Sequence, residues 1–123
     1  MRKLKFIAAL IWSLTILVVC LLNTKNISKL NIPFLGYDKM VHAGIYFVLT
    51  VLWLLYLETI CKLSTKIYLS VGLLLLCYGV LIEILQETLT KDRSADLFDV
   101  IANTVGIILA IQTFLIFRRF KKI

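Results

Sequence analysis

One histidine, one proline and three cysteines stand in 123 residues, and acids number seven against fourteen bases. Each scarcity removes a class of function. Cys20, Cys61 and Cys77 have neither a metal-site spacing nor the pattern of a disulfide framework, so they read as small buried hydrophobes. A lone His42 excludes a His-Glu-x-x-His zinc motif, and no conventional nucleophile motif is present. No small-x-small cleavage site follows the basic Arg2, Lys3 and Lys5, and Val19 stands where a lipoprotein signal wants a small residue before Cys20. The first apolar run is therefore expected to remain in the mature protein. Internal repeats and low-complexity segments are also missing.

What is abundant is hydrocarbon. Hydrophobic residues make up 61% of the chain, well above the roughly 45–50% usual for soluble domains. Four stretches, 4–22, 41–60, 67–86 and 98–117, reach the length that crosses a bilayer. The pieces between them are too short and too charged to build a second core. The expected architecture is a single domain, 1–123: an all-α, polytopic, integral membrane four-helix bundle. A soluble bundle would need a polar face on every helix, whereas 6–22 offers only Trp12, Ser13 and Thr15. Ala102, Gly106 and Ala110 recur every four residues, a small-residue face that permits close helix approach.

Charge sets the expected orientation. With both termini cytoplasmic, nine basic residues lie inside, namely Arg2, Lys3, Lys5, Lys62, Lys66, Arg118, Arg119, Lys121 and Lys122, against five outside. The basic ends then attract anionic lipid headgroups and call for no nucleic-acid partner. Six of the seven acids, Asp38, Glu83, Glu87, Asp92, Asp96 and Asp99, fall near the outer ends. The predicted location is the cell membrane, multi-pass, with this polar cluster extracytoplasmic. A polar group in hydrocarbon is costly unless paired or watered, so the cluster is the guide to function.

Asp38, His42 and Tyr46 step by four and share one helical face. Asp38 is placed to orient His42, and Tyr46 to donate to it or to a ligand. Glu83 and Glu87 form a second pair four apart, with Gln86 beside them and Glu83 the deeper acid. Asp96, Asp99 and Asn103 form a third face. Arg93 supplies a planar fork for phosphate or carboxylate, with Lys39 or Lys91 adding a point charge. Local pairing of Arg93 with neighbouring acids, and capping of the last helix by Asp92 or Ser94, are the plainer alternatives. Oxygen ligands alone do not announce a metal. No metal ligands and no cofactor are assigned, although Asp96 and Asp99 with Glu83, Glu87 or His42 could take a divalent cation.

At these positions the chain resembles the VanZ-like membrane protein family. The matching pieces are Asp38-Lys39-Met40-Val41-His42 with Tyr46, Glu83 and Gln86, then Arg93-Ser94-Ala95-Asp96, Asp99, Asn103 and Gly106. The proline common before the Arg-Ser stretch is replaced here around 90–92. The resemblance implies association with resistance to teicoplanin, a lipid-bearing glycopeptide. Two functions are carried forward. In the first, the protein recognises an anionic or amphiphilic envelope lipid, a lipid-linked cell-wall precursor or a lipoglycopeptide. Arg93, Lys39 and Lys91, with Tyr46, Asp96 and Asp99, would contact it, and Gln86, Glu87, Ser94 and Asn103 would support them. In the second it is an intramembrane enzyme acting on a lipid-linked phosphate or ester: His42, oriented by Asp38, activates water, Glu83 transfers a proton and Arg93 stabilises developing charge. Whether it is an enzyme, and its oligomeric state, stay open at this level.

Overall fold

The computed structural model describes residues 1–22, 35–89 and 94–121. All four spans are helices: α1 (Arg2–Leu22), α2 (Leu35–Leu57), α3 (Thr65–Leu89) and α4 (Leu97–Lys121). Among the described residues there is no strand. Each helix is long and apolar enough to cross a membrane. At about 1.5 Å per residue they measure roughly 31–38 Å, against a hydrocarbon thickness of about 30 Å. The connection before α2, residues 23–34, lies outside the described residues.

The second helix starts before the expected span 41–60 and ends sooner. Hydropathy starts the span at Val41, after two charged residues, whereas the helix continues back through them, and the backbone has a reason to be helical there. A carboxylate in the first turn complements the positive end of the helix dipole, and Asp38 sits in that turn; Asp99 does the same for α4.

α2 and α3 each touch the other three helices, while α1 and α4 do not meet. The closest pairing is between α2 and α4, and Gly106 allows it. A Cβ built on Gly106 would run into the backbone carbonyl of Ala43, with the carbonyl carbon 2.9 Å away. Ala102 and Ala110 are buried on the same helix, so the small-residue face is the seam of the bundle. Outward, Leu69, Leu73, Leu74 and Phe117 are more than 60% exposed, which suits a surface solvated by lipid tails.

Several polar groups within the spans are satisfied internally, as a medium without water favours. Ser13, Thr15, Thr50 and Thr104 each donate to the carbonyl four residues earlier. Between helices, the Trp12 indole donates to the Ile45 carbonyl (3.2 Å), Trp53 to the Ser13 hydroxyl (3.2 Å) and Tyr78 to the Ser13 carbonyl. Ser13 thus joins α1 to α2 and α3. Phe6 packs against both Trp53 and Tyr56 near the start of α1, with ring centroids 6.2 and 5.1 Å apart. At the same end the Arg118 guanidinium donates to the Tyr68 hydroxyl at 3.0 Å and lies 3.7 Å from Glu58. Trp53→Phe keeps the ring contacts and deletes only the indole bond. Its expected cost is about 1 kcal/mol, read as a modest fall in the thermal midpoint of the detergent-solubilised protein.

Candidate functional site

The polar residues gather where α2 and α4 begin and α3 ends. Lys39 is their hub. Its ammonium donates to Asp96 Oδ2 at 2.7 Å and to Asp99 Oδ1, and lies 3.9 Å from Asp38. Asp99 is only 1% exposed, so this pairing neutralises a carboxylate that the bundle has removed from solvent. The side chain expected to meet a ligand headgroup is therefore engaged within the protein.

His42 is buried one turn further in. Its Nδ1–H donates to Asn103 Oδ1 at 3.2 Å. A carbonyl oxygen can only accept, so Nδ1 carries a proton. Nε2 faces Asp38 Oδ1 at 3.8 Å and Asp99 Oδ2 at 3.9 Å, both too long for a hydrogen bond. Asn103 of α4, more than Asp38 of the same helix, thus orients the ring. One ligating atom from each of Asp38, His42 and Asp99 lies within 4.8 Å of the others.

Glu83 enters from α3 and accepts the Asp96 backbone N–H at 3.2 Å, tying α3 to the start of α4. Asp96 accepts from the Phe98 backbone N–H at 2.9 Å and so caps α4 itself, a role sequence reading gave to Asp92 or Ser94. Gln86 donates to the Cys20 carbonyl at 2.8 Å and binds α3 to α1. Tyr46 is 2% exposed, and its hydroxyl has no hydrogen-bond partner among the described residues. That hydroxyl and the Asn103 amide nitrogen both press on Gly79, at 3.2 and 3.0 Å from where a Cβ would stand. Glu87 and Ser94 are exposed at the rim. Arg93, Lys91 and Asp92 lie outside the described residues.

A long apolar groove of about 740 Å³ runs between α3 and α4, lined by Tyr68, Gly72, Thr104, Ile107, Ile111 and Leu115 among others. It reaches Thr104 towards the polar end and Ser64 and Arg118 at the opposite end. Sequence reading did not find this groove, because it depends on how far the two helices separate.

The family model described as VanZ/LLP1 matches residues 4–118. The chain belongs to the VanZ/LLP1 family. The match covers all four helices and every residue of the polar cluster, extending a likeness that the motifs alone carried only over α2 to α4. No curated protein and no solved structure matches this VanZ/LLP1 chain.

Proposed function

We propose that this VanZ-like membrane protein recognises the head of an anionic or amphiphilic envelope lipid or lipoglycopeptide at its polar end, and thereby contributes to glycopeptide tolerance. The observation that carries this reading is a polar cluster at one end of a largely apolar bundle, in which His42, Asp99 and Asn103 are buried and Lys39 and Asp38 lead outward from them. Such a set is expensive in a membrane and is retained where a polar ligand or proton must be handled. The α3–α4 groove supports the amphiphilic half of the proposal, since its volume and apolar lining suit an acyl chain. With Lys39 committed to Asp96 and Asp99, Arg93 and Lys91 are the side chains proposed to meet an anionic head. The outward orientation of this end follows from the basic-residue bias.

The second reading is an intramembrane enzyme acting on a lipid-linked phosphate or ester. One observation favours it: an imidazole with one nitrogen fixed by Asn103 presents the other as a base. Lipid analysis of the purified protein before and after incubation with envelope extract separates the two. Binding predicts a retained amphiphile without conversion, and about tenfold weaker retention in Arg93→Ala, the loss of one charge-assisted contact. Conversion to a defined product that fails in His42→Ala would favour the enzyme. Neither retention nor conversion would leave a structural or partner-protein role. Unchanged tolerance after deletion and restoration of the protein in its host would remove the glycopeptide part of the proposal.

A further inference from the structure

We infer that Asp38, His42 and Asp99 form a binding site for one divalent transition-metal ion of the zinc type at the head of α2 and α4. His42 is the deciding residue. It is 8% exposed, its Nε2 makes no hydrogen bond among the described residues, and that nitrogen points at two carboxylate oxygens 3.8 and 3.9 Å away. A buried ring nitrogen without a hydrogen bond is costly, and the carboxylate oxygens beside it complete a set of atoms that a cation can join. A metal fits the spacing: a tetrahedral ion with bonds of about 2.0–2.2 Å holds its ligand atoms roughly 3.4 Å apart, and here the two oxygens lie 3.8 and 3.9 Å from Nε2, with all three atoms within 4.8 Å of one another.

The supporting contacts have the form a metal site requires. Asn103 accepts the Nδ1 proton, which fixes the ring and directs Nε2 to the ion. Lys39 holds Asp99 by Oδ1, and the other oxygen, Oδ2, is the one turned toward His42. Asp38 and His42 are one turn apart on α2, a spacing that lets two side chains share an ion, while Asp99 completes the set from α4. One imidazole with two carboxylates selects zinc, cobalt or manganese over magnesium or calcium, which take all-oxygen shells. Three protein ligands leave a fourth position for water or for an oxygen of the ligand head. The metal would therefore convert an acid-rich pocket into a receptor for anions, deepening the amphiphile reading; its own test needs no lipid.

The chain's single histidine makes that test direct. The full protein, purified with a tag lacking histidine and stripped with chelator, is titrated with Zn²⁺ while its ¹⁵N-imidazole resonances are followed. The expected result is one ion per chain, with the Nε2 resonance displaced and Nδ1 still protonated. Asp38→Ala, at an exposed position that does not threaten folding, and His42→Ala should each weaken binding at least about tenfold, and Asn103→Ala by about 10–100-fold. Glu58→Gln, at the opposite end, should bind as wild type. Co²⁺ should give visible bands that His42→Ala loses. A His42 resonance unmoved at saturating Zn²⁺, or equal binding by Asp38→Ala and the wild type, would overturn the site while leaving lipid retention to be judged separately.

Discussion

Gly106→Ala is expected to destabilise the protein by about 3 kcal/mol or more, the upper part of the range for overpacking, and Gly106→Val to prevent folding. The added methyl would meet the carbonyl oxygen, carbonyl carbon and Cα of Ala43, all backbone atoms of α2. A flexible side chain could swing away, but a helix backbone can yield only by shifting the whole helix. Separating α2 from α4 would also pull Lys39 and His42 from Asp99 and Asn103, so stability and site would fail together. Gly44 provides the control: nothing lies within 4 Å of its would-be Cβ, and Gly44→Ala should gain about 0.5–1 kcal/mol through helix propensity. Thermal midpoints in one detergent, with intrinsic fluorescence as the probe, check the pair. Equal responses at the two glycines would contradict the packing at the seam.

The second large effect is expected at Asp99. Asp99→Leu removes a carboxylate that is 1% exposed and leaves the Lys39 ammonium with Asp96 and the more distant Asp38. Breaking a fully buried pair costs about 3–5 kcal/mol; here about 2–3 is expected, because the Lys39 side chain is 28% exposed and Asp96 still holds it. Asp38→Asn, at a side chain 47% exposed and 3.9 Å from Lys39, should cost less than about 1 kcal/mol. Removing the cation that has lost its buried partner should restore part of the loss, so Lys39→Met with Asp99→Leu is expected to be more stable than Asp99→Leu alone. Denaturation of the four variants in a double-mutant cycle measures the coupling, and a coupling near zero would contradict the pairing.

These two sites show what the sequence made legible. Four apolar runs of bilayer length are read directly from composition, because lipid imposes one long-range rule on every span. The face of Ala102, Gly106 and Ala110 was equally visible, since close packing requires small residues at helical spacing. Its partner was not: nothing local to Ala43 marks it as the backbone that Gly106 meets. Grouping of the acids with His42 could be read from helix ends and from the family motifs. Individual contacts could not, because they depend on helix rotation. Asn103 reaches His42 across 61 residues of sequence, and Lys39, which looked like a ligand contact, finds two carboxylates on α4. Charge also set the expected span of α2 too late: its first turn holds Asp38, which the helix dipole favours, and Lys39 follows, paired with Asp96 and Asp99 at the start of α4.

An outward-facing polar end is the premise on which recognition of an envelope amphiphile stands. Labelling of intact cells with a membrane-impermeant thiol reagent tests it, with Cys20, Cys61 and Cys77 first replaced by serine or alanine. Ser94→Cys is exposed at the polar end beside α4, and Ser64→Cys is exposed in the turn before α3 at the other end. The expected result is labelling of Ser94→Cys in intact cells and of Ser64→Cys only after permeabilisation. The reverse pattern would put the Asp38, His42 and Asp99 cluster in the cytoplasm and contradict the account.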